Sequence, residues 1–295
     1  MKVKLIYNPV AGNGLFKRNL NYIIDRFQKN GQYIEAYSTN TKKSIDSVLS
    51  SINDKEYKKV LVAGGDGTIN KIVNGLMKFK IDLPIGILPV GTSNDYSKCF
   101  RLPKKLEDIV EVLLADEYTY SDVGLLNNQH FINVASFGRI IDVSHKTKTE
   151  FKNSMGMLAY YINGLSELPK LKPISVRINS EEINYDGEIL FMLIMNGRSA
   201  GGFKRIAPCA SINDGLFEVI IFKKCPAYEL IFLFMSVISG EHLNNSNIIH
   251  FKTNKLIIDS ESDITTDLDG EKGPPFPLSI KVIPKKIKII TRVDN

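Results

Sequence analysis

Hydrophobic and polar positions alternate along this chain with two different periods. Through Ala115, short apolar runs are separated by longer stretches whose apolar residues fall on one helical face. Residues 3–7, 33–37, 60–63 and 85–88 read as strands, and residues 15–27, 44–52, 68–79 and 105–115 as helices. Within 68–79, Ile69, Ile72, Val73, Leu76 and Met77 line one face. Strands alternating with helices predict a doubly wound α/β domain on a parallel sheet. Such sheets bind ligands outside the carboxyl ends of their strands, so the loops after Tyr7, Ala63 and Leu88 are the places to expect chemistry.

From residue 118 onward the pattern is mostly extended. Residues 118–126, 130–136, 174–178, 188–195, 216–222, 248–258, 263–268 and 278–283 read as strands separated by turn signals, which predicts a mainly antiparallel, sandwich-like β domain. Only residues 155–168 and 227–239 look helical there. Asp186-Gly187-Glu188 reads as a hairpin turn. The expected domains are 1–122 and 123–284, with 285–295 a candidate to rejoin the first.

The chain has 295 residues, more than one hydrophobic core usually holds, and a formal net charge of +6. That excess of cations favours anionic partners. Without an arginine-rich tract or an aromatic RNP motif, nucleic acid is not expected among them. Cys99, Cys209 and Cys225 are far apart and lack CxxC spacing, which supports neither a disulfide framework nor a zinc site and fits a reducing cytoplasm. The N-terminus lacks the apolar core of a signal peptide, and the most apolar run, 230–238, is too short to span a bilayer. Lys146, Lys148 and Lys152 form a basic cluster whose ordinary reading is a solvated surface.

The strongest local feature is Gly64-Gly65-Asp66-Gly67-Thr68-Ile69-Asn70, which joins an apolar strand to an amphipathic helix. Glycines let a backbone approach phosphate closely, and the helix that follows offers free N–H groups. An Asp among those amides makes sense if it holds Mg²⁺ beside the phosphates; the plainer reading is a tight turn with Asp and Thr as caps. The third glycine of the dinucleotide fingerprint is missing, no GxxxxGK[ST] occurs, and no HRD-type loop is present. Two further loops, Asn8-Pro9-Val10-Ala11-Gly12 and Pro89-Val90-Gly91-Thr92-Ser93-Asn94-Asp95, follow the first and fourth strands.

NPVAG, GGDGTIN, LPVGTSNDYS and the Asp122-Val123-Gly124 that follows, taken in order, resemble the catalytic domain shared by diacylglycerol, sphingosine and ceramide kinases, and the soluble bacterial members most. The resemblance continues through Gly201-Gly202-Phe203, Ala207-Pro208, Asp214-Gly215-Leu216 and Leu268-Asp269-Gly270-Glu271. It implies a phosphofructokinase- or NAD-kinase-like first domain and an enzyme that transfers a phosphoryl group from ATP to a lipid hydroxyl. Diacylglycerol is the first candidate acceptor. A sphingoid base or phosphatidylglycerol is the nearest alternative, then NAD, then a non-catalytic lipid or nucleotide sensor.

The resemblance places ATP in the interdomain cleft, lined by Asn8, Pro9, Val10, Ala11, Gly12, Thr39, Gly64, Gly65, Asp66, Gly67, Thr68, Ile69, Asn70 and Thr92. Asp66, Asp95 and Asp122 would form a water-linked acidic network around a catalytic Mg²⁺, and Glu271 would be the general base. A second, structural Mg²⁺ would sit on Ser211, Asp214 and Leu216, the Ser and Leu through their carbonyls. The implied setting is cytoplasmic, with transient contact at a membrane surface; a homodimer is one permitted state.

Overall fold

The computed structural model describes residues 1–39, 44–138 and 172–292. The expected helix over 155–168 and the lysines at 146, 148 and 152 lie outside them. The chain divides into two compact units, Met1–Asp122 with Pro284–Asn295, and Val123–Ile283.

In the first unit, strand β1 (Lys2–Tyr7) lies between β2 (Tyr33–Ser38) and β3 (Tyr57–Gly64), and β4 (Ile85–Pro89) lies beside β3; every one of these pairings is parallel. Ile289, from the last strand of the chain, pairs with Ile85 and extends the parallel sheet. Helices α1 (Leu15–Lys29), α2 (Ile45–Leu49), α3 (Asp66–Phe79) and α4 (Leu106–Ala115) follow their strands in turn. Phe16, Ile23 and Phe27 of α1 and Ile109, Val110 and Leu113 of α4 pack into one core with Val3, Leu5, Leu61 and Leu88. Helix cover is why the buried parts of β3 and β4 read as continuous apolar runs instead of alternating ones.

The second unit is antiparallel. Its strands are the end of β5 (Tyr118–Leu126), then β6 (Gln129–Phe131), β7 (Val134–Gly138), β8 (Ile174–Ser180), β9 (Asn184–Met195) and β10 (Phe217–Lys223). Helix α5 (Ala227–Ser239) follows. The chain then forms β11 (Ile248–Thr253), β12 (Lys255–Asp259), β13 (Thr266–Leu268), β14 (Glu271–Lys272) and β15 (Leu278–Ile290). The long β9 pairs with β8 through its first half and with β7 and β10 through its second. Alternate residues of β10 serve two cores: Val219 and Ile221 pack with β7, β8 and β12, while Ile220 and Phe222 pack under α5.

Three expectations change here. Residues 130–136 are two strands, because the amides of Ile132, Asn133 and Val134 turn to the Asp269 carboxylate. Residues 248–258 break at Asn254, where the Thr253 hydroxyl accepts from the Lys255 amide and donates to its carbonyl. Asp186-Gly187-Glu188 is no turn but lies inside β9; the chain reverses earlier, where the Ser180 hydroxyl accepts the amides of Glu182 and Ile183.

Candidate active site

Three glycine loops interlock at the carboxyl ends of β1, β3 and β4. The backbone of Asn8 donates to the carbonyl of Ala63 at 2.9 Å, and that of Val90 to Gly64 at 3.2 Å. Gly12 has φ +59°, and a Cβ added to it would lie 2.8 Å from the Val90 carbonyl oxygen. A Cβ on Gly91 would lie 2.4 Å from the Gly65 Cα. These glycines are therefore required for backbone to pass backbone. Asn8 shapes the first loop by accepting the Val10 amide on its side chain at 3.1 Å, and Thr39, at the end of β2, donates its amide to Tyr7 at 2.9 Å.

Helix α3 begins directly out of the second loop. Its N-cap is Gly65, with no side-chain cap, so the plainer reading of Asp66 and Thr68 as caps does not hold. The uncapped first turn leaves N–H groups available to an anion. Ile69 is completely buried, which restricts any nucleotide contact there to its backbone, whereas Thr92 is exposed.

The Asp66 carboxylate accepts the amide of Tyr96 at 2.9 Å. Burial pushes its carboxyl above the usual range and the charge of Asp95 adds to this, while the amides of Tyr96 and Asp95 pull it down. Asp95 is buried and pairs with Lys98 at 3.0 Å. Asp122, also buried, accepts the Lys285 amide at 2.6 Å. Tyr96, which sequence reasoning missed, joins Asp66 to the strand that carries Asp122. Its amide serves Asp66, and its hydroxyl donates at 2.9 Å to Ser121, the residue next to Asp122. The only signal was its place in the third loop.

Tyr96→Phe keeps the ring and its edge contact with Phe100 but loses the bond to Ser121. A buried hydrogen bond of this kind contributes about 1 kcal/mol, so a Tm lower by several degrees and a turnover reduced about fivefold are expected. A variant identical to wild type in both would show that the hydroxyl orders nothing.

Among the described residues no three His, Cys, Asp or Glu side chains converge on a metal position. The carboxylates nevertheless fit Mg²⁺, which takes hard oxygen ligands and keeps much of its water. A divalent cation beside Asp66 and Asp95 would offset the burial and repulsion that raise Asp66.

In the second unit, Glu271 sits on an exposed two-residue hairpin. Asp269 and Gly270, with φ +52° and +90°, have the φ signs of a type I′ turn. Asp269 accepts the amides of Ile132, Asn133 and Val134 at 2.6, 3.0 and 2.8 Å, and Asp267 accepts that of Gly270 at 2.8 Å. Burial pushes the Asp269 carboxyl up to about 7, and the three amides are what pull it back.

Asp214 accepts the Leu216 amide at 3.1 Å, and Ser211 donates its hydroxyl to the Asn213 side chain at 2.9 Å. The Lys252 ammonium stands 3.6 Å from Asp214, 2.9 Å from buried Glu218 and 3.0 Å from the Cys209 carbonyl. The Asp214 carboxylate suits a hard cation, but this loop already has a positive charge beside it.

Residues 2–126 match the model of the diacylglycerol kinase catalytic domain, and residues 135–291 that of the YegS C-terminal NAD kinase beta sandwich-like domain. The chain is 34% identical over 295 residues to a diacylglycerol kinase of Staphylococcus carnosus, covering 99% of this chain and 96% of that protein. It is 33% identical over 279 residues to a diacylglycerol kinase of Bacillus subtilis, covering 94% and 91%. The crystal structure of a diacylglycerol kinase from Bacillus anthracis superposes with a TM-score of 0.78 at 23% identity, covering 99% of this chain and 97% of that one, which supports the fold. The glycine loops, the ordered acids and these full-length likenesses together make the chain a member of the diacylglycerol kinase family of lipid kinases.

Proposed function

We propose that this protein phosphorylates diacylglycerol to phosphatidic acid, with ATP as phosphoryl donor and Mg²⁺ as its metal. The observation that carries the reading is the interlock of the loops at Gly12–Val90 and Gly65–Gly91, with Asp66 opening the uncapped helix α3. Main-chain amides there would bind the phosphates, since among the described residues these loops carry no P-loop lysine. Asn8, Thr39 and Thr92 would complete the nucleotide contacts. Bound Mg²⁺ would neutralise charge on the transferring group, and Asp66, Asp95 and Asp122 would hold it, partly through water. Glu271 would accept the proton of the attacking lipid hydroxyl. A cytoplasmic protein in passing contact with the membrane, alone or as a homodimer, fits this role; among the described residues no helix is long and apolar enough to cross a bilayer.

Ser211, Asp214 and Leu216 would hold a second ion that closes the loop before β10. Asp214→Ala is then expected to lower the Tm in Mg²⁺ and to abolish the Tm increase that Mg²⁺ gives the wild type. Equal melting of the two proteins, with and without Mg²⁺, leaves the loop to Lys252 and removes the second ion from the scheme. The reading as a whole is tested with purified protein, labelled ATP and a panel of lipid acceptors.

A further inference from the structure

Helix α5 is apolar on two sides. Leu230, Leu233 and Val237 pack inward on Ile220 and Phe222 of β10 and on Leu190 of β9. Outward, Tyr228 is 64% exposed, Ile231 46%, Phe232 71%, Met235 55% and Ile238 48%. These five residues recur at helical spacing along one stripe. The helix has a single charged side chain, Glu229, and its carboxylate is turned to the Tyr228 hydroxyl at 3.1 Å and the Asn247 amide at 2.5 Å. A contiguous row of large apolar side chains without charge marks a surface with a partner.

We propose that α5 is the element this enzyme lays into the surface of the anionic bilayer that holds its lipid acceptor. The proposal rests on membership of a lipid-kinase family and not on which lipid is phosphorylated. A helix of 13 residues is about 20 Å long, so it would lie in the interface with its stripe in the acyl boundary. Tyr228 and Phe232 suit that depth, an apolar ring with or without a polar tip.

The charges at the two ends of α5 favour a membrane over a second copy of the chain. Lys204 and Arg205 are exposed. Arg205 packs at the C-terminal end of the helix, its side chain 3.1 Å from where a Cβ on Gly240 would be. Phe203, just before them, meets Phe234 of α5 edge-on at 6.0 Å. Lys223 and Lys224 lead into the other end, Lys224 paired with Glu188 at 2.7 Å, and Glu241 is the exposed acid near the C-terminal end. At the C-terminal end Lys204 and Arg205 outnumber Glu241, an excess that anionic headgroups would pair and that the uncharged stripe of a second copy would not.

The test compares wild type with the double variant Phe232→Glu, Met235→Glu; both side chains are more than half exposed, so the fold does not depend on them. Binding is measured by co-sedimentation with phosphatidylcholine vesicles, with and without phosphatidylglycerol. Each side chain withdrawn from the membrane is expected to weaken binding about tenfold, giving about a hundredfold for the pair. Turnover of vesicle-borne diacylglycerol should fall with binding, while turnover of a monomeric short-chain diacylglycerol should not change. Lys204→Glu with Arg205→Glu, or added salt, should remove the preference for phosphatidylglycerol.

Unchanged vesicle binding by the α5 variant overturns the inference. So does a wild-type dimer, seen by light scattering without vesicles, that becomes monomeric in the variant. If instead α5 proves necessary for vesicle binding while no diacylglycerol is phosphorylated from any source, the proposed acceptor is wrong and the docking surface stands.

Discussion

Glu271→Gln is expected to lose most turnover while nucleotide affinity stays close to wild type. The amide keeps the size and hydrogen-bonding reach of the carboxylate but does not take a proton. An alcohol is a weak nucleophile at neutral pH, and a positioned base contributes about a hundredfold or more as its proton becomes acidic in the transition state. The substitution itself is mild, because Glu271 is exposed and its β14 backbone, not its side chain, makes the pairing with Leu268. Turnover and ATP affinity are to be measured on the same preparation. A Gln variant with near-wild-type turnover would remove Glu271 from the chemistry, and one that fails to bind ATP would give it a different role.

Asp269→Ala is expected to be the most destabilising single change near the site. The carboxylate satisfies the amides of Ile132, Asn133 and Val134, and its loss leaves all three without that partner. An unsatisfied buried donor costs about 1–3 kcal/mol, and an Ala held at positive φ adds about 1 kcal/mol. The sum is a large share of the stability of an ordinary domain. Asp269→Asn keeps one acceptor oxygen and tolerates φ +52°, so it should fall between Ala and wild type. Denaturant midpoints of the three proteins check this order. Three equal midpoints would mean that water satisfies those amides equally well and that the clamp holds nothing.

What the sequence revealed and what it hid divide by distance along the chain. The strands and helices of the first unit are legible because buried parallel strands read as apolar runs and each ends in its own glycine loop. Even there, α3 begins at Asp66, earlier than the apolar pattern indicates, because Gly65 is its N-cap. The loops after β1, β3 and β4 are legible as three separate turns, but their interlock depends on pairs such as Gly12 with Val90.

The missed features are contacts between distant segments. Asp269 reaches residues 132–134, and the Tyr96 hydroxyl reaches Ser121; no local periodicity encodes either. The second Asp-Gly-Glu, at 186–188, has the same letters as a hairpin turn, but the chain has already reversed at Ser180, so the segment remains extended. The apolar run in α5 fits a helix packed on a sheet for its inward face only; the exposure of Phe232 and Met235 is visible only in the folded chain.

The proposed reaction is measured most directly by a phosphorylation assay. Purified protein is incubated with labelled ATP and Mg²⁺ against diacylglycerol, a sphingoid base, phosphatidylglycerol and NAD, with the lipids in mixed micelles. Labelled phosphatidic acid from diacylglycerol is expected, dependent on Mg²⁺ and lost with Glu271→Gln. Label in another acceptor with none in phosphatidic acid, or no transfer to any of them, would contradict it.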